Sequence, residues 1–248
     1  MAQLSSIEWT EATWNPVTGC SKLSPGCKNC YADRMARRLK AMGNIRYKNG
    51  FGLALHHDLL GEPLRWKTPR MIFVNSMSDL FHPKIPTRFI IEVFKVMNIA
   101  WWHIFQILTK RSERLAELSE KLNWSKNIWI GTSVENSDYI YRIDHLKKVN
   151  AHIRFISVEP MLGPIHHLSV SGIDWVIVGG ESGPRAREIK PEWVRFIRDN
   201  CLKNEIPFFF KQWGGKQKWK SGRILDGKVW NEVPKKGFFI NSKFLKSS

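Results

Sequence analysis

Short apolar runs alternate with amphipathic segments along most of this chain, and the alternation limits the fold more than any other feature. Six runs rich in Ile, Val, Phe and Trp have the composition of strands buried on both faces: 71–75, 104–109, 128–133, 153–158, 175–179 and 207–211. Such strands are typical of parallel sheets. Helical periodicity follows in 88–99, 112–122, 137–149 and 191–203. The pattern therefore predicts repeated β-α-β units.

A further strand is expected at 12–18, followed by a first helix at 31–42. Six or seven parallel strands predict an α/β fold, a partial (β/α)6-7 barrel of the TIM type, with an open doubly wound sheet as the alternative. In both folds, ligands bind where the carboxyl ends of the strands open into loops. We expect the barrel to occupy residues 1–215 and a basic, aromatic-rich C-terminal extension to occupy residues 216–248.

The chain carries a strong excess of positive charge. Its 39 Lys and Arg residues outnumber 22 Asp and Glu residues, and ten of the basic residues fall between Lys211 and the C-terminus. Excess positive charge indicates an anionic partner, most simply nucleic acid. Six Trp and Phe residues interleave with the basic residues of this segment, as base stacking would require. The alternative is a solubilising tail whose aromatic residues cover the core.

Neither a transmembrane helix nor a secretory signal is expected. No apolar run approaches 18 residues, and the first residues are neither basic nor apolar. Four cysteines are too few for a disulfide scaffold, and Cys201 has the surroundings of a buried packing residue. We therefore expect a cytoplasmic protein without membrane contact.

Polar, charged or glycine residues follow every predicted strand. Helix caps and turns explain some of them, such as Ser133 and the glycines. Six such strand ends in succession, however, favour an active-site mouth. Its candidate ligand-binding residues are Asn75, Ser76, Ser78, Asp79, Lys110, Ser133, Glu135, Glu159, Gly179, Gly180 and Glu181.

Three cysteines cluster near the N-terminus. Cys20, Cys27 and Cys30 have the spacing Cys-x6-Cys-x2-Cys, and Pro25-Gly26 turns the chain before the second thiol. Structural zinc takes four protein ligands, and no fourth one lies nearby in sequence. An iron–sulfur cubane held by three thiolates leaves one iron open for a substrate or cofactor. The spacing favours a metal cluster over zinc or simple packing.

Longer motifs around these residues are similar to those of a known protein family. They are Trp14-Asn15-Pro16-Val17-Thr18-Gly19-Cys20, Ser24-Pro25-Gly26-Cys27, Asn29-Cys30-Tyr31-Ala32, Phe73 to His82, Leu108 to Arg111, Ser133 to Asn136, Glu159 to Pro164, Gly179 to Gly183 and Phe210 to Gly215. Over about residues 7–215 the chain resembles a three-cysteine-motif family, associated with phages and bacteria, that is regarded as radical S-adenosylmethionine-like.

The resemblance implies a partial barrel with a [4Fe–4S] cluster on Cys20, Cys27 and Cys30, and S-adenosylmethionine on the fourth iron. Two features depart from the superfamily. The first gap has six residues instead of three, and Asn29 stands where an aromatic residue usually precedes the third cysteine. The resemblance therefore assigns the cluster ligands but not the adenine contact made at that position.

The resemblance also implies roles for the mouth residues. Asp79, Ser76 or Ser78, in the segment 75–79, would accept hydrogen bonds from the methionine ammonium. Lys110 and Arg111 would hold a carboxylate or a substrate phosphate. Contacts with the ribose would come from Ser133, Glu135 and Glu159, while Gly179 and Gly180 would let the backbone approach adenine.

The sequence thus predicts a radical S-adenosylmethionine enzyme acting on a nucleotide or nucleic acid, by modification or isomerisation of a DNA base. An electron donor such as flavodoxin or ferredoxin is the expected partner. Two alternatives remain open. One is a zinc-stapled, non-catalytic nucleic-acid-binding protein, and the other is an iron–sulfur lyase of nucleic-acid lesions.

Overall fold

Seven parallel strands form a curled half-barrel, which confirms the predicted α/β fold. A computed structural model gives the structure and describes residues 3–5 and 7–235. The strands, in chain order, are β1 (Gln3–Leu4), β2 (Ala12–Trp14), β3 (Val17–Thr18), β4 (Ala54–Leu55), β5 (Met71–Val74), β6 (Ile104–Thr109), β7 (Ile128–Ser133), β8 (Ile153–Val158), β9 (Trp175–Gly179), β10 (Phe208–Gln212), β11 (Ile224–Leu225) and β12 (Lys228–Val229).

The barrel strands lie side by side in chain order. The sheet runs β1-β2-β5-β6-β7-β8-β9-β10, with β1 antiparallel to β2 and every later pair parallel. Because each connection crosses from one parallel strand to the next, the carboxyl ends of all seven parallel strands open at the same end of the barrel. The helices are α1 (Tyr31–Ala41), α2 (Thr87–Ile99), α3 (Ser112–Leu118), α4 (Tyr141–Lys147), α5 (Pro191–Lys203) and α6 (Lys218–Ser221).

Three predicted elements differ from the structure. The helix expected at 112–122 ends at Leu118 and continues as a 3-10 turn over Ser119–Lys121. The strand expected at 12–18 ends at Trp14, and Val17–Thr18 pairs instead with β4 in a separate two-stranded sheet. Pro16 lacks an N–H group and cannot continue the ladder, so the strand breaks there. The helix expected at 137–149 is α4 alone, preceded by a 3-10 turn that the Asn136 side chain caps.

Two hydrophobic layers enclose the sheet. On the outer face, residues such as Val74, Ile107 and Val178 pack against the helices. The buried Cys201 belongs to this layer, as predicted. Inside the curl, a cluster of aromatic residues fills the amino-terminal half; it includes Trp9, Phe73, Trp129, Phe155, Trp175 and Phe209. The aromatic cluster forms the floor of the barrel interior.

Inward-facing residues become small towards the carboxyl ends. Along β7 the inner face changes from Trp129 to Gly131 and then to Ser133, because alternate strand residues share a face. A Cβ atom on Gly131 would lie 2.4 Å from the Phe155 ring, so glycine is needed where that ring crosses. The same taper on β8 leads from Phe155 to Ser157. Space for a ligand therefore lies above the aromatic floor.

The chain after β10 returns along the free edge of that strand. The amide of Phe210 donates to the Trp230 carbonyl at 3.0 Å, and Phe209 pairs with Asn231 in an antiparallel bridge. The return covers an otherwise open sheet edge. Residues 236–248 of the predicted basic extension lie outside the described residues. No helix in the described part of the chain is long and apolar enough to cross a bilayer.

Candidate functional site

The three clustered cysteines lie on a loop at the carboxyl end of the half-barrel. We call residues 19–30 the cysteine loop. It starts at Gly19, whose φ of +82° and close approach to the Gly52 carbonyl exclude a side chain. A 3-10 turn over Pro25–Cys27 reverses the chain, and Cys30 directly precedes α1. The loop thus places its thiols beside the strand ends, where barrel ligands bind.

The thiols are half-buried and close enough to influence one another. Burial and the Asp79 carboxylate raise the pKa of Cys20 to about 11, against the opposing effect of Arg111. Burial also raises the pKa of Cys30, which backbone amides at the start of α1 partly oppose. A charged Cys27 would raise the pKa of both neighbours. The raised pKa values keep Cys20 and Cys30 protonated at neutral pH, so metal loading would release protons.

A first ion pair fixes the beginning of the cysteine loop. The Asp79 carboxylate accepts hydrogen bonds from the Thr109 hydroxyl at 2.7 Å and from Arg111 Nη1 at 3.0 Å, and two backbone amides complete its shell. Arg111 also donates to Cys20 Sγ at 3.5 Å and to the Ser21 carbonyl at 3.0 Å. Asp79 therefore positions the Arg111 guanidinium, which in turn donates a hydrogen bond to Cys20.

A second ion pair supports the middle of the loop. Glu135 is fully buried, and its Oε1 accepts from Lys110 Nζ at 2.7 Å and from the Ser24 hydroxyl at 2.6 Å. A Cβ atom on Gly26 would lie 2.4 Å from the same oxygen, so the loop backbone rests directly on this carboxylate. Arg142 lies behind it, with Nη1 3.7 Å from Oε1.

A third ion pair holds the end of the loop. Glu181 accepts from Arg187 through both carboxylate oxygens, at 2.9 and 2.5 Å, and from the Asn29 amide at 2.8 Å. Arg187 also donates to the Pro25 carbonyl at 2.9 Å. Three of the four carboxylates that the sequence places among the ligand-binding residues, Asp79, Glu135 and Glu181, are thus turned towards the cysteine loop, which they clamp from three strand ends.

The polar residues after β5 also bond within the protein. Ser76 donates to Asn15 Oδ1 at 3.2 Å, and Ser78 donates to the Val17 carbonyl at 3.0 Å. Asn75 has a φ of +60° and accepts from the Val17 amide, while its Nδ2 has no partner. Of this segment, Asn75 keeps a buried donor available for a ligand.

Of the remaining predicted residues, Ser133, Glu159 and Gly179 face the barrel interior, whereas Gly180 faces Ile189 of the outer layer. Lys211 Nζ lies 2.6 Å from Glu159 Oε1, and the two side chains meet beside Gly179, where a Cβ atom would contact both. Ser133 and Ser157 are paired on adjacent strands at the same level. Gly180 lies against the Trp213 carbonyl, which a Cβ atom would approach to 2.0 Å. The cysteine loop and this interior pair therefore lie at the same end of the barrel, where the carboxyl ends of the strands open.

Several buried polar atoms around the mouth lack a partner within the described residues. They are Asn75 Nδ2, Glu135 Oε2, Ser157 Oγ and Gln212 Oε1, and each belongs to a residue at the carboxyl end of a strand. Leaving such an atom unsatisfied costs about 1–3 kcal/mol, so they mark positions where a ligand or water would bond.

Sequence reasoning missed the arginines that complete two of the ion pairs. Arg142 lies on α4 and Arg187 follows β9, and neither stands in a conspicuous motif. The usable signal was indirect. A Glu directly after an apolar strand becomes buried, and a buried carboxylate requires a cation. Which cation pairs with the carboxylate depends on the fold.

The donor chemistry of the loop fits an iron–sulfur cluster. Within the described residues, no three His, Cys, Asp or Glu side chains gather closely enough to hold a single metal ion. In a cubane each thiolate binds its own iron, so the three sulfurs surround the cluster and do not meet at one ion. Cys20, Cys27 and Cys30 supply the thiolates, and the first is already hydrogen-bonded by Arg111. We therefore treat these residues as candidate cluster ligands.

The buried glutamates predict an acid-sensitive fold. Burial alone would raise the pKa of Glu181, but hydrogen bonds from Arg187 and Asn29 outweigh it and lower the pKa below 4.5. A carboxylate with a depressed pKa stabilises the protein above its unfolded pKa, and this contribution disappears as the pH falls through the folded value. Glu181→Gln should therefore be destabilised most at neutral pH, and its deficit should shrink below about pH 4.5.

Urea unfolding of the parent protein and the Glu181→Gln variant, between neutral and acidic pH, measures how this deficit in the free energy of unfolding changes with pH. A deficit of constant size across that range would show that the ionised Glu181 does not stabilise the fold.

Comparison with known proteins identifies both a family and a fold. Residues 4–234 match a family model described as "Protein of unknown function (DUF5131)". No curated protein matches the chain. Among solved structures, a single-site variant of spore photoproduct lyase shares 14% sequence identity with a TM-score of 0.50, covering 82% of this chain and 64% of that one.

Two further structures of spore photoproduct lyase are similar. One variant has 14% identity and a TM-score of 0.49, with 73% of this chain and 58% of that chain covered. A second, with bound AdoMet and dinucleoside spore photoproduct, has 13% identity and a TM-score of 0.48, with 82% and 64% covered. The chain thus spans less than two thirds of the length of these lyase chains. The likeness at a TM-score of 0.50 supports the partial-barrel fold.

Proposed function

We propose that this chain, which belongs to the DUF5131 family, is a radical S-adenosylmethionine enzyme that acts on a nucleic-acid base. One observation carries the proposal. Three cysteines lie on a single loop at the mouth of a parallel half-barrel, and buried ion pairs clamp that loop from three strand ends. Such support is what a metal site requires of the residues around its ligands.

In this proposal Cys20, Cys27 and Cys30 hold a [4Fe–4S] cluster. When bound, the cluster supplies the electron that cleaves S-adenosylmethionine to methionine and a 5′-deoxyadenosyl radical. Asp79, Glu135 and Glu181 act as positioning residues, because both oxygens of Asp79 and Glu181, and Oε1 of Glu135, bond to the loop, its cationic neighbours or the Thr109 hydroxyl.

The cofactor contacts fall instead on the interior residues. Asn75 Nδ2 is a buried free donor suited to the carboxylate of the cofactor. Ser133 and Glu159 present oxygens to the ribose, and Gly179 leaves room beside the Glu159–Lys211 pair. The aromatic floor below excludes water from the reacting end.

A nucleic-acid substrate is supported by charge and by an exposed aromatic residue near the mouth. The net charge is +17. Trp219 on α6 is 73% exposed, with Lys220 Nζ 5.2 Å from its ring centroid. The segment before α6 pairs with the loop after β9 through Ser182 and Gly215. Trp219 is therefore placed to stack a base that approaches the mouth.

Replacing Trp219 with alanine should weaken binding of single-stranded DNA about 5- to 100-fold, the usual loss of one stacked base. Fluorescence anisotropy of a labelled oligonucleotide measures the change at fixed salt concentration. Trp101→Ala is the matched control, since Trp101 is 66% exposed in the turn after α2, at the opposite end of the barrel. Equal losses in both variants would remove the proposed role of Trp219.

Product analysis tests the proposed function. Anaerobically reconstituted protein is incubated with S-adenosylmethionine, dithionite and an oligonucleotide, and the products are separated by mass spectrometry. We expect 5′-deoxyadenosine together with a base of altered structure. With an oligonucleotide that carries a lesion, reversal of the lesion without other base change would instead indicate a lesion lyase. Intact cluster without any 5′-deoxyadenosine would refute the proposal.

A further inference from the structure

The surface formed by the cysteine loop and α1 is densely positive. Residues 20–50 contain eight basic residues and one acidic residue. Arg37 pairs with Asp33 and Arg46 pairs with Asp58. The other six basic residues form no ion pair within the described part of the chain: Lys22, Lys28, Arg34, Arg38, Lys40 and Lys48. Positive charge here exceeds what the fold itself neutralises.

An exposed row of apolar residues runs through this positive surface. α1 packs on the barrel through the small residues Ala32 and Ala36. Its outer side carries Met35, and Met42 follows two turns further on at the C-cap of the helix, while the Tyr31 hydroxyl turns to the barrel mouth and donates to the Ser76 carbonyl. Met35 is 42% exposed and Met42 is 68% exposed. Leu23 in the cysteine loop and Ile45 after α1 are also exposed. We call this the α1 surface.

We propose that the α1 surface docks an acidic electron-carrier protein that reduces the cluster. The inference rests on the proposed function, since only a redox centre in the cysteine loop needs such a partner. The row lies on the helix that begins directly after Cys30, and its two methionines are about 10 Å apart along the helix at 1.5 Å per residue. A protein seated there lies beside the third cysteine.

The composition of the α1 surface selects a protein over other partners. Met and Arg are enriched at protein interfaces, and a positive rim complements an acidic partner. Nucleic acid would favour stacking aromatic residues, and this row of Leu23, Met35, Met42 and Ile45 has none. A second copy of the chain would bring two positive surfaces together, and these would repel each other. A membrane helix would need a wider apolar face than this single row.

The test uses the reconstituted holoprotein and a reduced flavodoxin, an acidic flavin protein, as the probe. Binding of labelled flavodoxin is measured by fluorescence anisotropy, and cluster reduction is followed by stopped-flow absorbance. The double variant Met35→Glu/Met42→Glu should bind about tenfold more weakly or worse, as expected for interface anchors. Its reduction by dithionite, a small reductant that needs no docking, should be unchanged.

Ile99→Glu is the matched control, because Ile99 is 60% exposed at the end of α2, far from the cysteine loop. Arg38→Glu, which leaves the apolar row intact, should also weaken binding and lower its salt dependence. Circular dichroism and iron content confirm that the variants fold and load.

Three results would overturn the docking proposal: parent protein that binds no flavodoxin, variants that bind it as the parent does, or variants that lose only DNA or anionic-vesicle binding. Failure of the proposed function gives a different result. In that case no redox-active cluster forms, whether or not flavodoxin binds.

Discussion

Replacement of Cys27 with alanine is expected to abolish both iron–sulfur binding and 5′-deoxyadenosine formation. Cys27 is the central thiol of the loop, held 3.8 Å from the Ser24 hydroxyl and near enough to Cys20 and Cys30 to affect their pKa values. Removing it leaves two protein thiolates for a cubane that normally takes four ligands. Iron and sulfide content, visible absorption and product analysis measure the loss.

Cys201→Ala is the matched control for this substitution. Cys201 is fully buried on α5, in the helix layer outside the sheet. Its replacement removes packing but no candidate ligand, so iron content per folded chain should equal that of the parent. The interpretation of the cysteine loop would be wrong if Cys27→Ala kept its iron and made 5′-deoxyadenosine at the parent rate.

Replacement of Asp79 with alanine is expected to have the largest effect on stability, about 3–5 kcal/mol, the usual cost of removing one partner of a buried ion pair. The Asp79 carboxylate satisfies four donors, among them the Thr109 hydroxyl and Arg111. Without it, the Arg111 guanidinium, only 8% exposed, would keep its charge without a carboxylate partner. Urea unfolding of the metal-free protein measures the change in the free energy of unfolding.

The same substitution should lower cluster retention, because Arg111 bonds to Cys20 and Ser21 only while Asp79 positions it. Asp58→Ala is the control. Its ion pair with Arg46 lies on the surface, where such pairs contribute little, so both the unfolding midpoint and the iron content should stay near those of the parent. Equal effects of the two substitutions would show that the Asp79–Arg111 ion pair does not hold the cysteine loop in place.

The fold was largely predictable because its strands are buried on both faces. Near-continuous apolar runs such as 128–133 and 175–179 give an unambiguous strand signal, and the helices between them imply parallel pairing. The first strand was predicted too long. Its apolar residues continue past Pro16. The strand nevertheless ends before Pro16, because proline has no backbone N–H to donate to the next strand, and hydrophobic periodicity does not reveal this break.

The sequence predicted that carboxylates would gather at the strand ends, but not what each of them contacts. Sequence order places Asp79, Glu135 and Glu181 after strands, and the structure brings all three to the mouth. What each one contacts depends on partners far along the chain, as for Asp79 and Arg111, 32 residues apart. A motif shows that a carboxylate will be buried there, but it does not show which cation approaches it.

The distribution of charge illustrates the same limit. The sequence directs attention to the basic C-terminal segment, yet within the described residues α1 and the cysteine loop form a strongly basic surface. The count of charges in residues 20–50 was available from the sequence. That Met35 and Met42 are exposed was not, since an amphipathic helix is expected to bury its apolar residues and α1 packs through alanines instead.

The central claim is that three thiolates hold a cubane whose fourth iron binds S-adenosylmethionine. Electron paramagnetic resonance of the dithionite-reduced, oxygen-free protein tests it most directly, recorded with and without S-adenosylmethionine. We predict that the protein contains about four irons per chain, and that the cluster signal changes when S-adenosylmethionine is added. A colourless protein with stoichiometric zinc, or a cluster signal identical in both samples, would contradict the account.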